Sequence, residues 1–277
     1  NIWIFSQLKK IHLISIMEII FLILLSLYIN WLTFLSLWRR FKLEIKEHFL
    51  LSNVASFLNL VTPMRWWAAF RAWYMKKKYN LDYTYFWSSL FWTYVIVFFI
   101  ASLLAILNLT YLYYNSWFFS PIVFFIFLSL LISFWFIFIS GWKFKFKTTN
   151  KYLLKINKII TWWWIICKDK RLILYLCILQ TINIFIWASI LYILFLDLWV
   201  NINFFQVFYI STISILSVFI NITPGSIWIT EALYVYSSNI VNVAPEIMLL
   251  IALLKRAIET IVLFALWPIS KYYLIKK

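Results

Sequence analysis

Residues 172–196 run without a single Asp, Glu, Lys or Arg. As a helix such a stretch is long enough to cross a bilayer, because about 20 apolar residues at about 1.5 Å each match the ~30 Å hydrocarbon core. Residues 11–37, 85–107 and 121–139 repeat the pattern, the last two again without a charge. Over the whole chain 65% of residues are hydrophobic and 12% charged, where a soluble domain has roughly half and a quarter. One water-facing globule of this size cannot bury so much apolar surface, and disorder demands the opposite composition. The composition therefore predicts an all-α, polytopic integral membrane protein.

Three further segments are less regular. Residues 247–269 are long enough to cross but carry Lys255, Arg256 and Glu259. Residues 49–62 stop at Pro63 and are too short to span. Residues 204–223 break at Pro224-Gly225 and resume over 227–236. The two breaks are alike: Phe57-Leu58-Asn59-Leu60-Val61-Thr62-Pro63 in one and Phe219-Ile220-Asn221-Ile222-Thr223-Pro224 in the other. A broken apolar segment recurring in two halves points to internally repeated membrane architecture. The expectation is a single transmembrane domain over 1–277 with about seven membrane-embedded segments, two of them re-entrant helical hairpins in an inverted repeat. The half-repeats run over about 38–140 and 172–270, joined by a basic connector at 141–171.

Charge placement agrees. Lys and Arg total 25 against 9 Asp and Glu, a formal charge of +16. If both hairpins return to the side they entered from, 19 of the basic residues fall on one side, including Lys76–Lys78, the connector and the C-terminus, and none in the opposing loops after the first span. The positive-inside rule makes that side cytoplasmic, so the C-terminus is expected in the cytoplasm and the protein in the cell membrane. Lys9 and Lys10 are exceptions; the chain starts at Asn1 rather than Met, and a missing N-terminal segment or a shifted first span would account for them. The same rule explains the charge without a nucleic-acid partner. Trp162-Trp163-Trp164 in the connector fits either an amphipathic segment on the inner leaflet or a loop with an aromatic belt. Only Gly141 and Gly225 are glycine, so helix contacts must use Ser, Ala and Thr.

Ionisable residues at membrane depth are costly and usually functional. Arg65 and Arg71 follow Pro63, where a half-helix N-terminus and guanidinium forks suit a lipid phosphate. Glu231, after the second break, needs a partner to stay ionised, which Arg256 or Lys255 can supply; Lys255 and Glu259 are spaced to pair with each other. His48, beside Glu47, reads as a solvated boundary residue. Neither histidine sits in a metal-ligand pattern, Cys167 and Cys177 match neither zinc nor disulfide spacing, and two glycines cannot build a phosphate loop. No catalytic residue, metal or cofactor is expected, and an enzyme is not; a membrane transferase would need a carboxylate pair at the inner surface.

Pro63-Met64-Arg65-Trp66-Trp67-Ala68-Ala69-Phe70-Arg71, preceded by Asn59, resembles the first motif of the lysylphosphatidylglycerol synthase transmembrane region, or flippase-like domain: Pro-x-Arg-x-Gly-Glu-x-x-Arg. Pro224-Gly225-Ser226-Ile227-Trp228-Ile229-Thr230-Glu231 resembles its second, Pro-Gly-Gly-x-Gly-x-x-Glu, and Arg256 matches an Arg of the following span. Trp67-Ala68 replace the Gly-Glu of the first motif, and Ser226 and Trp228 replace two glycines of the second. The resemblance covers nearly the whole chain and implies a stand-alone member without a synthase domain, in a family associated with moving aminoacylated or other anionic lipids between leaflets. The implied substrate-binding set is Asn59, Pro63, Arg65, Arg71, Asn221, Pro224, Gly225, Glu231 and Arg256. Two functions follow as expectations: a lipid flippase or transporter for an anionic or aminoacylated phospholipid or lipid-linked headgroup, or a non-transporting subunit that presents a lipid to a separate synthase or glycosyltransferase. Partners would be membrane lipids and, in the second case, that enzyme.

Overall fold

The computed structural model describes residues 11–38, 44–62, 66–116, 119–140, 150–218 and 226–275. Among these residues ten α-helices account for nearly all of the chain: α1 (Leu13–Trp38), α2 (Ile45–Val61), α3 (Trp66–Tyr79), α4 (Tyr83–Ser116), α5 (Pro121–Ser140), α6 (Lys151–Cys167), α7 (Lys170–Asp197), α8 (Phe204–Ser214), α9 (Ile229–Val241) and α10 (Pro245–Ile275). Three of them, α1, α4 and α7, are long and apolar enough to cross a membrane.

Local chemistry sets the boundaries. α5 and α10 open on Pro121 and Pro245, where the missing N–H is lost at no cost. Asp169 accepts from the Leu172 amide at 3.1 Å to cap α7, and Asn203 with Gln206 forms a capping box at α8. α9 ends on Asn242 in the left-handed region at φ 55°. α2 stops at Thr62, held extended at φ −112° and ψ 141° by the following proline, while its hydroxyl donates back to the Leu58 carbonyl at 2.6 Å.

The outer surface is apolar. On α1 the exposed side chains Ile14, Met17, Phe21, Leu24 and Tyr28 recur every three or four residues, one face of a helix. Ile19, Ile23, Ser26, Ile29 and Thr33 face inward. A stripe this wide turned away from the core is a lipid-facing surface. Inside, contacts run through small and polar residues. Ala101, Ala105, Ala188, Ser88 and Ser102 have no accessible surface. α1 and α7 are stitched by Ser15 to Asp197 at 2.8 Å, Ser26 to Asn183 at 2.7 Å and Gln180 to Thr33 at 3.1 Å. Lipid offers helices no hydrophobic drive to associate, so close packing and hydrogen bonds must do it.

α2 and α9 carry the two breaks. α2 has 17 residues, and α8 has 11 before it tightens into a 3₁₀ turn over Ile215–Val218; each is shorter than a crossing requires. α2 and α9 both pack against α10, with Phe57 of α2 stacked on Trp267 at 4.6 Å between centroids. α2 starts earlier than its apolar run suggested, and this moves His48 from an expected solvated boundary into the interior. It is 2% exposed and meets the Trp38 ring edge-on at 5.2 Å.

One tryptophan of the connector, Trp163, also turns inward, while Trp164 stays exposed. α6 is helical, yet Trp163 is buried and stacks on Trp92 at 4.3 Å, while the Trp163 carbonyl accepts from Trp92 Nε1 at 3.0 Å. The amphipathic helix docks its aromatic face on α4 and leaves Lys155 and Lys158 exposed.

At the base of the α2–α3 pair, Glu47 accepts hydrogen bonds from Tyr74, from Lys78 Nζ at 2.6 Å and from Tyr79 at 2.9 Å. Burial pushes its carboxyl up, but these donors and the lysine charge outweigh burial and hold it below its ordinary 4.5. A depressed carboxyl contributes stability above its unfolded pKa and loses it as pH falls through the folded value. Glu47→Gln is therefore expected to unfold about 2 kcal/mol more easily at neutral pH. The gap to wild type should close as the pH is taken below 4.5; thermal melts across pH measure it, and a constant gap would reduce Glu47 to a packing role.

Candidate functional site

A cavity of about 400 Å³ lies at the centre of the bundle, walled by eight of the ten helices. The first broken pair contributes Ser52, Asn59, Trp67 and Arg71; the second contributes Ser211, Ser214, Thr230 and Tyr234. α10 adds Lys255, Arg256 and Glu259, and α1 and α7 add Asn30, Gln180 and Asn183. The hydrophobic core falls into two clusters, and the cavity touches both, through Phe34 and Trp67 on one side and Tyr234 and Ala252 on the other.

Arg71 is the most unusual residue on its wall. It is 1% exposed, with its guanidinium 4.0 Å above the Phe34 ring and 4.8 Å from the Trp38 ring. Among the described residues no carboxylate pairs with it, and Nε and Nη2 have no hydrogen-bond partner. The aromatic faces offset part of the cost of burying the charge but leave its hydrogen-bonding fork unsatisfied. It does not snorkel toward Lys76–Lys78.

Glu231, at the first turn of α9, takes one hydrogen bond from Arg256 Nε at 2.8 Å. Of the two candidate partners in α10 the structure selects Arg256. Lys255 instead lies 4.4 Å from the centre of the Trp187 ring, with Nζ 3.5 Å from the Tyr234 hydroxyl, and among the described residues Glu259 forms no ion pair. The Glu231–Arg256 contact is single-pointed: Glu231 Oε2 and Arg256 Nη1 are buried without partners.

The structure thus gathers Asn59, Arg71 and Arg256 around one space, with Glu231 behind Arg256. Pro63, Arg65, Asn221, Pro224 and Gly225 lie outside the described residues. Phe34 and Trp38 under the Arg71 guanidinium, and the amides Asn30, Gln180 and Asn183, escaped sequence reasoning. A signal existed for two of them: Gln180 and Asn183 are the only amides in the 172–196 run and are three apart, on one helical face.

The approach to α9 explains the family pattern around the second break. Ser226 and Trp228 both have positive φ, at 55° and 73°, where an L-residue with a Cβ is strained and glycine is not. Ser226 Oγ reaches back to the Ser217 carbonyl at 3.4 Å, tying α9 to the 3₁₀ turn. The Trp228 ring is 76% exposed and packs little. Trp228→Gly is expected to raise stability by about 1 kcal/mol, the strain relieved less the entropy glycine adds to the unfolded chain. A melting temperature that falls instead would mean the ring is held by a contact in the membrane.

A helical bundle that turns apolar side chains outward and lines a cavity between its helices with charges and amides defines an integral membrane protein with a polar site among its helices. The chain belongs to the lysylphosphatidylglycerol synthase TM region family, whose model matches residues 4–266, nearly the whole sequence. Membership gives it a membrane, lipid-related role. No curated protein and no solved structure matches the chain.

Proposed function

We propose that the protein moves a lipid with an anionic headgroup between leaflets, the phosphate resting on Arg71 and the acyl chains trailing into the bilayer. The observation that carries this reading is the guanidinium of Arg71, buried on a cavity wall with two nitrogens unsatisfied. A buried cation without a partner is costly, and a phosphate oxygen supplies what it lacks. The broken segments meet at the cavity as two re-entrant hairpins entering from opposite faces, Arg71 serving the cytoplasmic half of the path and Glu231 with Arg256 the outer half. The single hydrogen bond between Glu231 and Arg256 leaves one group on each side ready to exchange partners as the headgroup passes. In this reading the protein sits in the cell membrane with its C-terminus in the cytoplasm and acts as a carrier rather than an enzyme.

Purified protein in proteoliposomes containing fluorescent phospholipid analogues tests it. Dithionite quenching should show accelerated leaflet exchange over empty vesicles. Lipid that binds to the protein without exchanging would favour the alternative, a subunit that presents lipid to a separate synthase or glycosyltransferase.

A further inference from the structure

Resting on the reading of Arg71 as the seat of an anion, we infer that His48 takes up a proton together with that anion, so that the protein loads its lipid and a proton as one event. Three observations carry this. The first is isolation. His48 is 2% exposed, and both of its ring nitrogens are buried without a hydrogen-bond partner. A neutral imidazole has one donor and one acceptor to satisfy, and each one left unmade in the interior costs about 1–3 kcal/mol. An apolar ring would pack there without that cost; what histidine adds is a proton site near neutral pH. The second is proximity to Arg71. The Trp38 ring touches both groups, 5.2 Å from the centre of the imidazole and 4.8 Å from the guanidinium carbon. Its own Nε1 is tied to Ser89 Oγ at 2.9 Å, so the plate that both rest against is fixed.

The third is the charge around the imidazole. Among the described residues the charged group near enough to act on it is Arg71 of α3. α1 presents the Trp38 ring, backed by Phe86 of α4. The other titratable groups of α3, Tyr74, Lys78 and Tyr79, are engaged by Glu47, and on α2 and its approach Glu44 and Lys46 are exposed. With Arg71 bare, a proton on His48 would set two like charges together in a poorly solvated space, so the proton stays off. An anion on Arg71 cancels the guanidinium charge and removes that repulsion. By linkage the proton strengthens the hold on the anion by the same factor, so anion affinity rises as pH falls through the histidine range. A site loaded in this way fills more readily from the more acidic side of the membrane, which lets a proton gradient set the direction of transport.

The test uses the full-length chain in detergent and a short-chain phosphatidylglycerol, whose phosphodiester does not titrate near neutral pH. Fluorescence of Trp67 and Trp187, which line the cavity, reads its binding. Affinity is expected to rise about tenfold from about pH 8 to about pH 6 in the wild type and to stay level over that range in His48→Gln. In lightly buffered solution near neutrality, a pH-sensitive dye should register uptake of about one proton per lipid bound. The chain has two histidines, and His12 is exposed just before α1. In His12→Gln protein carrying isotopically labelled histidine, the remaining imidazole resonance belongs to His48. It should pass from neutral to protonated when lipid saturates the site, a reading that stands even if His48→Gln misfolds. Affinity that ignores pH in the wild type, a pH profile that His48→Gln leaves intact, or an imidazole that stays neutral in the loaded protein would overturn the inference while leaving the anion on Arg71 in place. Absence of lipid binding at every pH would remove the anion reading and this inference with it.

Discussion

Replacing Arg71 by Met is expected to leave a folded protein whose melting temperature is unchanged or raised, while lipid exchange falls at least a hundredfold. A lone buried cation carries a desolvation penalty of several kcal/mol. Against it stand the rings of Phe34 and Trp38 at 4.0 and 4.8 Å, each offsetting about 2 kcal/mol in a dry site. Met keeps much of the volume, so no large cavity opens as it would with Ala. The ledger for folding is thus neutral or favourable to the substitution. The loss in exchange follows from removing a buried guanidinium on the cavity wall that has no carboxylate partner among the described residues, and a hundredfold corresponds to about 2.7 kcal/mol, within reach of charge-assisted hydrogen bonds to a phosphate. Arg71→Lys should recover little, because an ammonium cannot reproduce the planar fork. Size-exclusion profiles and thermal melts beside the exchange assay separate the effects. If Arg71→Met unfolds the protein or exchanges lipid at the wild-type rate, the residue is structural and the carrier reading fails.

The second large effect is expected at the Glu231–Arg256 pair. Glu231 is 6% exposed in its side chain and Arg256 19%, so removing one partner strands the other in a poorly solvated place. Glu231→Gln and Arg256→Gln should each cost about 3 kcal/mol. The double variant should cost clearly less than the two together, because no charge is then left unpaired. Stability and transport should part company in that double variant: folding recovers, exchange does not. Recovery of both would make the pair a lock on the α9–α10 contact with no part in the path, and additive single costs would show that the two side chains do not interact in the membrane.

Much of the fold was readable because its causes are local. Uncharged runs of spanning length need only a count of residues, and Pro121, Pro245 and Thr62-Pro63 mark helix ends through backbone sterics that act over one or two residues. The recurrence of Asn-x-Thr-Pro style breaks, the isolated Glu231 and the cations around Lys255 could be picked out because charge is rare in these segments. His48 was misjudged for the converse reason: its neighbours Glu47 and Lys46 look like a solvated boundary, and nothing within a few residues reveals that Trp38 closes over it. Trp163 of the connector was equally opaque, since an amphipathic face suits either lipid or another helix, and only the position of Trp92 on α4 makes it the latter.

By itself, the order of residues determined the class of protein, the solvent around it, those helix ends that a proline marks and a short roster of costly polar groups, since each follows from composition or from backbone chemistry between near neighbours. Only the tertiary structure decided that Arg256 and not Lys255 meets Glu231, that Arg71 lies against aromatic rings with no carboxylate beside it among the described residues, and that amides from α7 share its cavity. Those outcomes depend on which faces of helices 25 residues or more apart come into contact, and no local rule reaches across that separation.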